Sequence, residues 1–290
     1  MSSPQNPMPQ AAPAWQGTAA SPHAGYTSPI PVVRTHLGHA LVSEWTKIRS
    51  VRSTVWTLGV FVLLVLGIGL LTGVVVSSSS SEMSSADNPL TLGFFGLLLG
   101  SICLITLGVL TTASEYGTGM IRTTMTACPS RGRVLAAKAL VFFLVAFTTT
   151  LVSSVLVAFA QTAMLGGSGV RQPSGAEWLK GTVGVSLYLA LLGLLSLVVG
   201  SILRHSAGAI TIMIGVVLAP LVIALFMFTQ SLEKVRTALI DYSIPNQLSV
   251  FYSNSLTHSG PSGWDPLWIV LAVTALAFAG AWALLRQRDV

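Results

Sequence analysis

Long apolar runs separated by short polar connections set the pattern of this chain. Stretches free of Asp, Glu, Lys and Arg cover residues 53–81, 88–114, 139–170, 181–203, 205–232 and 266–285. A helix rises ~1.5 Å per residue, so roughly 20 apolar residues cover the ~30 Å hydrocarbon layer of a bilayer. Each run meets that length, and the pattern predicts six transmembrane helices at about 55–76, 90–113, 140–165, 182–203, 207–228 and 267–285. Gly96 and Gly100 in the second stand four residues apart, a spacing that lets a neighbouring helix approach closely. Pro220 is expected to kink the fifth, because its ring removes a backbone donor. Only Arg204, His205 and small neighbours separate the fourth from the fifth, which predicts a tight hairpin.

Two shorter apolar patterns lie outside these runs. From His36 onward, Leu37, Leu41, Trp45 and Ile48 recur at helical spacing, with Ser43, Glu44, Lys47 and Ser50 on other faces. They predict an amphipathic helix in the membrane interface, ending in Arg49 and Arg52 against the first span. Between the last two spans, Leu232, Val235, Leu239 and Ile240 are again helically spaced, and Ile244, Leu248, Val250, Phe251 and Tyr252 follow around Pro245. A plain loop has no need of these residues, so they are read as short helices re-entering the outer leaflet and packed against protein. Between the second and third spans, Pro129 and Gly132 are expected to divide residues 115–133 into a short helix, a turn and the approach to the next span. Residues 1–35 carry half of the chain's 14 prolines among Gln, Ser and Ala, and are expected to form a disordered cytosolic tail. The folded part is then one membrane domain, residues 36–290.

Composition removes a soluble alternative: 52% of residues are hydrophobic and 8% charged, against about 25% charged in soluble domains. The net charge of +6 raises the question of nucleic acid, but the basic residues are spread between spans and form no patch. Orientation accounts for them. With the amino terminus in the cytosol, Arg34, Lys47, Arg49, Arg52, Arg122, Arg131, Arg133, Lys138, Arg204, Arg286 and Arg288 fall on the cytosolic side. Only Arg171, Lys180, Lys234 and Arg236 fall opposite, which predicts that both termini are cytosolic. For Arg133 and Lys138 this topological role is the expected one. Cys103 and Cys128 fall in a span and a cytosolic loop, so no disulfide is expected.

Catalytic signatures are missing. The chain contains no Gly-Lys dipeptide and hence no P-loop, no His-Glu-x-x-His and no Gly-x-Ser-x-Gly, and its five histidines are scattered. It is read as a non-enzyme that binds no cofactor or metal. No ionisable residue falls at mid-span depth, where proton- or sodium-coupled transporters carry their coupling group. Thr148, Thr149, Thr150, Ser153, Ser154 and Gln161 on the third span are expected to hydrogen-bond between helices rather than line a path.

The segment after the second span resembles the corresponding segment of ABC-2 type permeases, the membrane subunits of bacterial ABC exporters. An acidic residue leaves span two, a glycine follows four positions later, and Pro-x-Arg and Lys lead into span three; here these are Glu115, Gly119, Pro129, Arg131 and Lys138. Met120 departs from the family's usual Thr. The stretch Ser43–Ser50, with Glu44, Trp45, Lys47 and Arg49, is similar to the family's amino-terminal interfacial helix. The resemblance implies a permease in a bacterial cell membrane, paired with a second permease copy and with a separate cytosolic ATPase that holds ATP and Mg²⁺. Coupling to that ATPase is then expected at residues 115–131, with Tyr116, Ile121 and Met125 as apolar anchors and Glu115, Arg122 and Arg131 as polar pairs. The alternative is a non-transporting anchor or sensor subunit of an ABC-like resistance system.

Overall fold

A computed structural model describes residues 36–78, 88–128, 130–166, 170–252 and 259–287. The expected tail at 1–35 and Pro129 lie outside the described residues. In chain order the helices are α1 (Leu37–Ser50), α2 (Arg52–Ser78), a 3₁₀ turn (Pro89–Gly93) leading into α3 (Phe94–Gly117), α4 (Met120–Ala127) and α5 (Arg131–Leu165). There follow α6 (Gly175–Leu179), a π-helical turn (Lys180–Gly184) continuing into α7 (Val185–Leu203), and α8 (Ser206–Leu225). The chain closes with α9 (Glu233–Asp241), α10 (Ile244–Val250) and α11 (Asp265–Gln287). The described residues contain no strand.

Six of these segments are long and apolar enough to cross a membrane: α2, the 3₁₀ turn with α3, α5, α6 through α7, α8 and α11. They match the six predicted spans in order. The fourth begins earlier than the apolar run suggests, because Ser174 and Glu177 form a reciprocal capping box that starts the helix at Gly175. Arg171 completes that start through two hydrogen bonds to the Glu177 carboxylate. The fifth continues through Pro220 for a further turn before ending at Leu225. The hairpin before it is as tight as expected: Arg204 adopts a left-handed conformation (φ 55°) and His205 Nδ1 accepts a hydrogen bond from Gly208 N–H, capping α8.

The α6–α7 span is the centre of the bundle. Its most apolar window is 72% buried, compared with 22% for α2, 22% for α8 and 17% for α11. It packs on α3, α5 and α11. Small residues permit this: a Cβ on Gly108 of α3 would collide with the Gly193 carbonyl of α7, and one on Gly200 would lie 3.0 Å from the Val109 carbonyl. Hydroxyls add direct ties, since Thr112 donates to the Leu197 carbonyl (2.9 Å) and Thr274 to that of Leu191 (3.4 Å). Gly96 and Gly100 seat α3 against Val65 and Phe61 of α2. On α5, Gln161 donates to the Gly69 carbonyl of α2 at 2.9 Å, a helix–helix bond of the kind expected there.

Both ends of the bundle carry smaller elements. At one end α1 packs on α5 and α2, separated from α2 only by Val51. At the other end the apolar connection forms α9 and α10, and α10 is buried along its length, with Leu248 and Asn246 fully enclosed. The chain turns at Tyr242–Ser243, just ahead of Pro245, which occupies the first turn of α10. By contrast α9 leaves Val235 exposed, and Leu232 and Tyr242 at its two ends are exposed as well.

The α3–α7 crossing supplies a direct check. Gly108→Ala meets backbone, which cannot rotate away, and should cost about 1–3 kcal/mol, whereas Gly67→Ala, with open space around it, should be close to neutral. Thermal unfolding of the two purified variants in detergent measures the difference.

Candidate functional site

The strongest concentration of chemistry is a closed ring of four charges where α1, α3 and α5 meet. Lys47 Nζ donates to Glu44 Oε1 and Glu115 Oε1, each at 2.9 Å. Lys138 Nζ donates to Glu44 Oε2 at 2.8 Å and to Glu115 Oε1 at 2.9 Å. The charges alternate around the ring and cancel. Glu44, Glu115 and Lys138 are each no more than 5% exposed. Lys47 also reaches Thr124 Oγ1 at 3.4 Å, which ties α4 to the ring.

Local sequence explains how four helices deliver these groups to one point. Glu44 and Lys47 stand at i and i+3 on α1, so both project from one face beside the buried Ile48. Of the expected apolar stripe, Ile48 is buried and Leu41 partly covered, while Leu37 and Trp45 are exposed; Val42 and Arg49 also face outward. Glu115 leaves the last turn of α3. Gly119 then takes a left-handed conformation (φ 72°), with open space where a Cβ would sit, and turns the chain sharply into α4. Gly132 does not interrupt the chain as expected; it lies in the first turn of α5, where the Trp282 indole occupies the space a side chain would need.

The structure reassigns several partners. Glu115, expected with Arg122 and Arg131 to supply polar pairs for a partner, is bonded within the protein to Lys47 and Lys138. Arg122 is exposed on α4, and Arg131 donates to the Leu285 carbonyl at 3.0 Å, fastening the last turn of α11 to the start of α5. Lys138, expected only to hold topology, is a full member of the ring. Ile121 is turned inward and buried, and with Tyr116 and Met125 it lines a small cavity under α4 that Glu115 also borders. Tyr116 is covered by the Arg204 guanidinium, 5.0 Å from the ring centroid. The face that α4 leaves outward carries Met120, Arg122, Thr123 and Thr126.

One sequence signal for Lys138 exists. It stands two turns into α5 among Val134, Leu135, Ala139 and Val141, and a lone ammonium so placed requires a partner. Which carboxylates serve it depends on how α1 folds back, which no spacing encodes. Thr124 and Arg204 carry no comparable signal.

Energetics give the ring its meaning. Burial alone depresses the Lys47 ammonium, but hydrogen bonds and charges from Glu44 and Glu115 outweigh it and hold the group above the ordinary lysine range. A raised folded-state value means that its contribution is complete at neutral pH and is lost only as pH climbs beyond about 10.4. Removing one member of a buried pair leaves its partner charged and unmatched, at a cost of about 3–5 kcal/mol, whereas apolar replacement of the whole set is often neutral or stabilising.

The described residues hold no cluster of His, Cys, Asp or Glu arranged to bind a metal. No protein-family model matches the chain, and no curated protein matches it either.

Lys138→Met or Glu115→Gln alone should therefore lower stability by several kcal/mol. Replacing Glu44, Lys47 and Glu115 by Leu together with Lys138→Met should recover most of that loss. Denaturation of purified protein in detergent distinguishes a ring acting as a unit from four independent residues, for which the losses would add.

Proposed function

We propose that this chain is the membrane-spanning permease subunit of an ATP-driven exporter of the ABC-2 type, with ATP bound and hydrolysed by a separate cytosolic subunit. The single observation that carries the reading is the ring, which joins α4 to three membrane-rooted helices at one end of a six-span bundle. A partner that pushes on α4 acts on α1, α3 and α5 together through Lys47, Glu115 and Lys138. That is what mechanical coupling requires: a short exposed helix bonded rigidly to the elements that must move.

Further features support it. The chain has no Gly-Lys dipeptide, so energy has to arrive from outside. The basic residues bias the ring end towards the cytosol, which makes both termini cytosolic, α1 an interfacial helix and α9–α10 the re-entrant outer pair. Exposed Trp45 and Val42 on α1 suit an interfacial position. Partner contact falls to the outward face of α4, with Met120 and Arg122 in place of the buried Ile121. A second permease copy completes the translocation path, and a bacterial cell membrane is the setting.

The test is reconstitution with the candidate ATPase. Arg122→Glu combined with Thr123→Glu alters only exposed positions, so ATPase retention and transport-linked hydrolysis should fall at least tenfold while thermal stability is unchanged. Glu115→Ala should reduce both, and Glu82→Ala, in the connection before the second span, should reduce neither. Full ATPase retention by the α4 double variant would remove α4 as the contact. Reporters inserted within residues 114–133 and after Val290 should be cytosolic, and those at 80–88 and 255–262 external; the reverse would overturn the orientation.

A further inference from the structure

A polar atom shut away from water without a partner is costly, so such atoms mark places where the fold has room for something else. Two enclosed side-chain oxygens among the described residues have no hydrogen-bond partner, Glu115 Oε2 and Gln161 Oε1. The first is the costlier to leave bare, because it belongs to a carboxylate. The ring uses only the other oxygen of Glu115: Oε1 receives both Lys47 and Lys138, and Oε2 receives nothing.

Glu115 also lines the cavity under α4, where Thr112, Arg131, Leu135, Lys138, Ser201 and Leu285 share the wall. All of these except Arg131 are buried, so the space lies inside the protein. The room open there to a water-sized sphere is about 20 Å³, and one water needs about 10–15 Å³ on the same measure.

Chemistry narrows the occupant further. An ionised carboxylate only accepts, so whatever meets Oε2 must donate. The wall hydroxyls are already committed as donors: Thr112 donates to the Leu197 carbonyl at 2.9 Å and Ser201 to that of Val198 at 2.7 Å, which leaves each with lone pairs to offer. A metal or ammonium cation is opposed by Lys138 and Arg131 on the same wall, and chloride has no hydrogen to give. Water is the uncharged species of this size that donates twice.

We infer that the cavity under α4 is a binding site for one buried water, which donates to Glu115 Oε2 and to the Ser201 hydroxyl oxygen. Its consequence is connectivity. The ring bonds α1, α3, α4 and α5 to one another, but none of its hydrogen bonds reaches α7, the most buried span. A water shared by Glu115 and Ser201 ties the ring to the last turn of that central helix. The site rests on the unpartnered oxygen and the cavity, and stands whether or not the chain takes part in export.

The test uses the full chain in phosphatidylcholine vesicles exposed to a short X-ray pulse, which makes hydroxyl radicals from bound as well as bulk water. Peptide mass spectrometry then locates the oxidised side chains. Leu135 and Leu285 on the cavity wall should be oxidised at least fivefold faster than Leu104 and Leu189, which are similarly buried and do not line it. Radicals made only in the bulk, by photolysis of hydrogen peroxide, should leave all four leucines equally unlabelled. Ser201→Val crowds the site with methyl groups and should cut X-ray oxidation of Leu135 at least threefold with Leu104 unchanged, whereas Ser201→Ala leaves the room open and should not. Oxidation of Leu135 and Leu285 no faster than the controls means a dry cavity and overturns the site. Equally fast labelling from bulk peroxide means a solvent-open cleft and overturns it too, as does a Ser201→Val protein with undiminished Leu135 oxidation. Should Leu104 oxidation rise in Ser201→Val, that variant is unfolded and the wild-type comparison decides alone.

Discussion

Three charges buried out of water, with Lys47 partly exposed beside them, can stay charged only in one another's company, and most of the architecture at one end of this molecule follows from that requirement. Each carboxylate of the ring receives both ammonium groups, and each ammonium reaches both carboxylates. The desolvation penalty for one unmatched member exceeds what any single apolar contact on α1 offers, where Ile48 is the only buried hydrophobic residue. The position of α1 is therefore dictated by charge matching rather than by hydrophobic burial. The remaining bundle follows a different rule: small residues bring backbones together, and hydroxyls or amides bond across to carbonyls.

These two regimes explain what could be read in advance. Spans were legible because the bilayer imposes a length and an absence of charge that the sequence must satisfy, and Gly96 and Gly100 were legible because close approach needs absent side chains. Helix starts were less so. The fourth span begins at Gly175 on account of a capping box between Ser174 and Glu177, inside a stretch whose polarity argues against a span. The ring was half visible: Glu115, Glu44 and Lys47 stood out by type and position, yet their partnership with Lys138 depends on tertiary folding. Ile121 illustrates the same limit, since an apolar residue on a short helix has the same sequence signature whether it faces a partner or its own bundle.

The ring also explains why α4 is held by so few contacts. Gly119 sets its direction, one hydrogen bond from Lys47 to Thr124 joins it to the charges, and Ile121 and Met125 rest over a small cavity rather than a filled core. The helix is rooted between α3 and α5, each of which bonds to another helix through a side chain.

Val51 is the one residue between α1 and α2, and its extended backbone joins the two helices without a loop. The ring grips α1 at Glu44 and Lys47, so the helix is held in its second half and overhangs from Leu37 to Ser43, roughly 10 Å at helical rise. Mechanically this is a lever with its fulcrum at the ring and its short arm ending on the first span. The short arm is joined to α2 through the single extended residue Val51, so the ring and this link together fix where the first span begins.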